Sequence, residues 1–223
     1  VTTDKCYENR EWDWGYRESD SMGGHDPYSS SKGCAELVTS AYRRSFFNGK
    51  DTASLATARA GNVIGGGDWS DDRLIPDILK AFENSEPVII RNPLSTRPWQ
   101  HVLEPIAGYL VLAENLYNYG DDFAEAWNFG PKDEDCKPVD WILNEMVAQW
   151  GDGASWGLDN NNNPHEAGFL KLDCSKASNR LKWEPKWKLR KTLKMIVDWH
   201  QNYLNGGELK EECLKEIKKY NNE

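Results

Sequence analysis

No run of apolar residues in the chain approaches the roughly 20 needed to cross a bilayer, and no basic start leads into an apolar signal-peptide centre. No two cysteines stand at Cys-x-x-Cys spacing. Cys6, Cys34, Cys136, Cys174 and Cys213 are odd in number and scattered, so they read as free thiols in a reducing compartment and not as a disulfide framework. Excess positive charge is also missing. A formal net charge of −9 argues against a protein built to grip nucleic acid, although a few local Arg and Lys can still hold an anionic substrate. His25, His101, His165 and His200 lie far apart, and only His165-Glu166 is an adjacent pair with ligand character, so no zinc spacing is present. No Gly-x-Ser-x-Gly elbow offers a hydrolase nucleophile. These absences predict a soluble, cytoplasmic protein with no membrane, nucleic-acid or metal partner.

What is present is enough apolar residue, 39% of 223, to build a core. Residues 6–25 form a polar, aromatic stretch without steady period, and a loop of that length is usually functional or a lid. Helical spacing follows from Asp26 to about Phe47, stopped by Asn48-Gly49. The mostly apolar run 53–60 predicts a buried strand. Beyond it the patterning predicts helices over 74–83, 104–117, 139–150, 175–181 and 189–204, strands at 88–90, 126–131 and 170–173, and a charged tail from Gly206 that forms a peripheral helix. Residues 151–168, with Asn160 to Asn163, read as an exposed loop. His200 follows Trp199 on an amphipathic helix and reads as structural. Strands alternating with helices indicate an α/β fold.

The chemistry centres on Asp26-Pro27-Tyr28-Ser29-Ser30-Ser31-Lys32. Asp26 suits an N-cap and Pro27 the first helical position, which puts Tyr28 and Lys32 one turn apart on one face. An ammonium beside a phenol favours the phenolate and draws a tyrosine from its usual value of about 10 toward the range of a useful general base. A surface Tyr and Lys that happen to be four apart would look the same. A second feature is the glycine-dense stretch Gly61-Asn62-Val63-Ile64-Gly65-Gly66-Gly67-Asp68-Trp69. Its spacing is not Gly-x-Gly-x-x-Gly and no helix starts at once, so it is not a pyrophosphate loop. It reads either as a loop whose backbone approaches substrate or nicotinamide, or as an ordinary flexible turn.

Taken together, Thr3-Asp4-Lys5, Tyr28-x-x-x-Lys32, Ala60-Gly61-Asn62-Val63, Arg97-Pro98-Trp99, Trp127-Asn128-Phe129-Gly130-Pro131 and Leu181-Lys182-Trp183-x-Pro185 occur in the order seen in extended short-chain dehydrogenases/reductases that act on nucleotide sugars. The chain resembles that family over essentially its whole length. Stretches such as Arg97-Pro98-Trp99-Gln100-His101-Val102-Leu103-Glu104-Pro105, and Lys5 where other dehydratases of the group carry Glu, are similar to its CDP-glucose 4,6-dehydratases. The resemblance implies the C-terminal part of a Rossmann-type doubly wound parallel sheet (1–67 and 102–131) with a small mixed α/β substrate-binding domain (68–101 and 132–223). It implies NAD as cofactor, CDP-glucose as substrate and a homodimer paired through the helix bearing Tyr28 and Lys32.

The implied reaction is an internal redox elimination: hydride leaves C4 of glucose, C5 loses a proton, C6 loses hydroxide, and the hydride returns to C6. Tyr28 would take the O4 proton, with Lys32 lowering its pKa and holding the nicotinamide ribose. Thr3 would bond near O4 and Asp4 would protonate the departing hydroxyl. Lys5 stands where relatives place the glutamate that takes the C5 proton. A lysine serves as base only if its pKa falls by several units, and Asp4 beside it pushes the other way. Lys5 therefore acts either as that base or as a support for the enolate or an ordered water, with Asp4 sharing the abstraction. Ala60, Asn62 and Val63 would approach the cofactor, and Asn62, Arg73, Arg97, His101 and His165 the substrate, with Arg97's planar fork on the diphosphate. The family's first two strands, with the Gly-x-Gly-x-x-Gly turn, have no counterpart in the sequence, which also begins without Met. The expectation is therefore an N-terminally truncated chain that binds NAD weakly and is inactive alone. Sugar-nucleotide epimerases and decarboxylases, which share the Tyr-Lys pair, and a non-catalytic sugar-nucleotide binding module are the competing classes.

Overall fold

The structure is a computed structural model that describes residues 1–49, 52–159 and 168–223. In chain order its elements are β1 (Thr2–Thr3), α1 (Pro27–Phe46), β2 (Thr57–Ala60), β3 (Asn62–Ile64), α2 (Leu74–Glu83), β4 (Pro87–Ile90), β5 (Thr96–Arg97), β6 (Trp99–His101), α3 (Leu103–Tyr119), β7 (Ala126–Phe129), β8 (Lys137–Pro138), α4 (Val139–Trp150), β9 (Ser155–Leu158), α5 (Leu189–Leu204) and α6 (Leu209–Asn221). Strands β1, β2 and β7 form one parallel sheet in that order. Pairs β3–β6 and β4–β9 are also parallel, and β5–β8 is antiparallel. The fold is α/β, as the alternation of patterns predicts. Among the described residues no helix is long and apolar enough to cross a membrane, and no group of three metal-ligating side chains gathers.

Among the described residues the two largest of four core clusters organise the fold. Ala58, Leu112, Trp127 and Phe129 pack under the three-stranded sheet, and Ile75, Ile78, Leu79 and Phe82 of α2 meet Ile142, Leu143 and Met146 of α4 and Leu193, Ile196 and Val197 of α5 in the other. The boundaries cut across the expected segments at two places: Ala177, Leu181 and Trp183 pack with the sheet, whereas Ile64 packs with the helical core. Several element boundaries follow directly from local chemistry. Asp26 caps α1 by accepting from the Ser29 backbone N–H (2.9 Å) and hydroxyl (2.6 Å), and Pro27 sits at the first turn, where its missing N–H costs nothing. The extents of α2, α4 and α5 coincide with their apolar periodicity.

Three expectations are corrected. Within residues 151–168, read as an exposed loop, Ser155–Leu158 form β9 paired with β4, and residues 160–167 lie outside those described. Residues 6–25 are not a detached lid: Cys6, Tyr7 and Tyr16 are buried with Leu170 and Leu172, and the Tyr7 and Tyr16 rings stack at 5.2 Å. Residues 170–173 make no strand of their own, because Leu172 bridges to Tyr16 while Phe169, just before them, bridges to Thr96 of β5. Beneath this stretch lies a buried polar network. The Glu36 carboxylate of α1 accepts from Arg59 (2.8 Å), Thr57 (2.8 Å) and Thr2, and Arg59 also donates to the Tyr7 hydroxyl (2.8 Å), which in turn donates to Asn128 (2.6 Å). One ion pair thus ties α1 to β1, β2, β7 and the 6–25 segment.

Candidate active site

The carboxyl end of β1 delivers Thr3 to the rim of the sheet, and a single 3-10 turn, Asp4–Cys6, then swings Asp4 and Lys5 over it. Helix α1 lies close against that turn because Gly33 has no side chain: a Cβ there would stand 3.3 Å from the Cys6 carbonyl oxygen. The close approach brings Tyr28 to the same place. A cavity of about 360 Å3 results, lined by Thr3, Asp4, Lys5 and Tyr28 on the sheet side and by Asn62, Val63, Asp72, Arg73, Leu74 and Trp99 across from them. Thr3, Asp4, Lys5, Tyr28, Asn62, Val63 and Arg73, widely separated in sequence, share this one cavity.

Asp4 is its least ordinary member. The side chain is 2% exposed; Oδ1 accepts from the Thr3 hydroxyl at 3.0 Å, and Oδ2 is buried with no hydrogen-bond partner. Burial raises its pKa, outweighing the pull of Lys5, the Thr3 hydrogen bond and Arg97 in the other direction. A carboxyl so placed holds its proton longer than a surface aspartate and can give it to a leaving oxygen. Tyr28, by contrast, is 54% exposed, and the Lys32 ammonium stands 5.3 Å from its ring centroid. The phenol therefore opens to the cavity with a cation at its side.

The remaining expected residues distribute elsewhere. Arg97 is buried at 8% exposure, donates to the Thr96 carbonyl at 2.9 Å, and lines a second cavity of about 260 Å3 that shares Asn62, Asp72, Leu74 and Trp99 with the first. Ala60 is buried in the middle strand of the sheet and lines neither cavity. His101 does not reach the substrate side. It is fully buried at the end of β6, accepts from the Leu103 N–H through Nδ1 (3.2 Å) and packs on Trp187 with ring centroids 4.8 Å apart. Burial lowers its pKa to about 4, so its role is packing as a neutral ring. His165 lies outside the described residues.

The glycine cluster divides into two parts. A Cβ on Gly61 would stand 2.6 Å from Pro98, one on Gly65 2.9 Å from Val102, and one on Gly66 2.3 Å from the Trp199 ring. Gly67 has φ +77 and packs on the same ring. Packing, above all room for Trp199, accounts for Gly65, Gly66 and Gly67, whereas Gly61, with Asn62, Val63 and Ile64, lines the cavity of about 360 Å3 as a loop near a ligand would. Sequence reading missed Asp72, Leu74 and Trp99 at the junction of the two cavities. Asp72 adopts φ +58, an unusual conformation for a non-glycine residue, and no local pattern announces it.

The chain is 60% identical to CDP-glucose 4,6-dehydratase of Salmonella typhimurium, over 99% of this chain and 62% of that protein. The structure superposes on UDP-glucuronic acid 4-epimerase from Bacillus cereus, solved with UDP-glucuronic acid and NAD, with a TM-score of 0.77 at 20% identity, over 91% of this chain and 60% of that one. It also superposes on dTDP-glucose 4,6-dehydratase from Bacillus anthracis, solved with NAD, with a TM-score of 0.70 at 20% identity and the same coverage. The chain spans less than two thirds of the length of each of these proteins, and at such identities the two structures speak for the fold alone. The sequence profile of the NAD dependent epimerase/dehydratase family matches residues 3–128, which carry Thr3, Asp4, Lys5, Tyr28 and Lys32. The chain belongs to the NAD dependent epimerase/dehydratase family.

Proposed function

We propose that the chain carries the catalytic acid–base groups and the substrate cavity of an NAD-dependent CDP-glucose 4,6-dehydratase, a hydro-lyase that forms the 4-keto-6-deoxy sugar. The observation that carries this reading is Asp4: a buried, proton-retaining carboxyl with one unpartnered oxygen, in the same cavity as an exposed tyrosine flanked by lysine. Oxidation at C4 alone needs only the tyrosine. Expulsion of a hydroxide from C6 needs an acid as well, which an epimerase has no use for. The identity to the Salmonella enzyme supports the CDP-glucose assignment.

Within the site Tyr28 takes the O4 proton, and Lys32 favours its phenolate. Thr3 bonds the O4 region and holds the Asp4 carboxyl in place through its hydroxyl. Asp4 gives its proton to the departing C6 hydroxyl. Lys5, next to it, faces C5 as base or as partner of the enolate. Arg97 in the second cavity and Asn62, shared by both, take the diphosphate, and Arg73 reaches the nucleotide. NAD, when bound, supplies the acceptor and donor of hydride. Tyr28 and Lys32, one turn apart on α1, fit its nicotinamide ribose, and the segment Gly61 to Val63, which lines the same cavity as Tyr28, completes that side.

The outer face of α1, where Leu37, Val38, Tyr42 and Phe46 are exposed, suits pairing with a second copy. Five free thiols accord with a cytoplasmic setting. The full-length protein incubated with NAD and CDP-glucose should form a keto sugar, seen by its absorbance in base. An epimerised sugar as sole product would contradict the assignment.

A further inference from the structure

The second cavity differs from the first in character. Leu74, Val88, Ile89 and Ile90 give it an aliphatic wall, Arg91 and Arg97 give it positive charge, and Asp77 stands on its rim. Asp72 lines both cavities and so marks where they meet, whereas Asp77 lines the second but not the first. Strand β4 bounds the same space and pairs with β9 along one backbone edge, with no strand along its other edge among the described residues. A nucleotide whose diphosphate lies at Arg97, near the junction, would place its base between that free edge and Asp77.

We propose that Asp77 selects the base, accepting a hydrogen bond from the exocyclic amino group of cytosine and rejecting the 4-keto oxygen of uracil; this rests on the nucleotide-sugar reading above. A carboxylate is an acceptor only. Cytosine offers it the 4-amino donor, and cytosine N3 can accept from a backbone N–H of β4 at the same time. Uracil reverses both groups: its O4 faces the carboxylate and its N3–H faces the N–H donor, so each matched pair becomes a repulsive one. Among the described residues the Asp77 carboxylate has no hydrogen bond or ion pair; Asp72 and Asp71 act on it as like charges, and the Lys80 and Arg91 cations draw on it without pairing.

A hydrogen bond to a charged group contributes about 1.5–3 kcal/mol, so roughly a ten- to hundredfold preference is expected. Isothermal titration of CDP and UDP into the full-length protein, wild type and with Asp77→Asn and Asp77→Ser, measures it. Asp77 lies on the exposed first turns of α2, and the two variants keep a polar side chain there; a thermal melt reports their folding. Wild type should bind CDP at least tenfold tighter than UDP. Both variants should bring the ratio within about threefold, mainly by weakening CDP. A wild type without preference, or a folded variant that keeps it, overturns the proposal and leaves the nucleotide-sugar reading intact. Binding of neither nucleotide, or binding undiminished by Arg97→Ala, removes that reading and the proposal together.

Discussion

At the scale of single residues, the decisive asymmetry is between a buried carboxyl and an exposed phenol. Asp4 is held away from water with its Oδ2 unpartnered, while Tyr28 faces solvent beside Lys32. Replacing Asp4 by Asn preserves shape and removes the proton. Turnover of CDP-glucose should fall by about 10² to 10⁴, the span usual for a general acid, with KM little changed. Lys5→Glu separates the two roles open to that residue: if exchange of the C5 hydrogen with deuterated solvent continues unchanged, a dedicated lysine base is excluded. The gathering of Asp4 and Tyr28 in one cavity, with Lys32 beside the Tyr28 ring, was legible because it rests on local patterns, a Tyr and Lys one turn apart and an Asp in a short strand-end motif. His101 was not. A histidine at the end of a strand can face either side of it, and only the packing of Trp187 and α6 shows that this one faces inward.

At the scale of elements, α1 is fixed by one buried ion pair. Burial pushes the Glu36 carboxyl up, but hydrogen bonds from Arg59, Thr2 and Thr57 outweigh it and hold the pKa below the ordinary value. Removing one partner of such a pair strands the other, so Glu36→Gln should cost about 3–5 kcal/mol in urea unfolding. Glu36 contributes stability that is present above the unfolded carboxylate value and lost as pH falls through the lower folded one. Glu216 of α6 behaves oppositely. Burial, then Glu212, raise it to about 7, with His101 Nε2 3.9 Å away and Lys219 and Asp198 acting on it. Between about 4.3 and 7 the folded chain keeps a proton that the unfolded chain has released, so this group lowers stability as pH rises through that window. Glu216→Gln should therefore leave the melting temperature unchanged near pH 4.5 and raise it above pH 7. Helix extents were legible from apolar periodicity and the Asp-Pro cap. Within the glycine cluster the sequence could not separate Gly61, which lines the cavity, from Gly66, which makes room for Trp199, because the need for a small residue looks the same in both; Gly66→Ala should cost about 1–3 kcal/mol in stability through that ring.

At the scale of the whole molecule, the end of β1 and the start of α1 bring Thr3, Asp4, Lys5 and Tyr28 to one cavity, and a second, charged cavity shares Asn62, Asp72, Leu74 and Trp99 with it. The order of motifs made the α/β class readable, but the register of β3 on β6, which sets Asn62 opposite Trp99, depends on contacts between distant segments that no local pattern encodes. The exposed apolar face of α1 belongs to this scale too. Val38→Asp should shift the sedimentation coefficient from dimer to monomer if that face pairs two copies. The central claim, an internal oxidation and elimination in which hydride never leaves the site, is tested most directly with CDP-glucose deuterated at C4. The full-length protein with NAD should yield a 4-keto-6-deoxy product carrying the deuterium at C6. Deuterium remaining at C4, or lost to solvent, would contradict it.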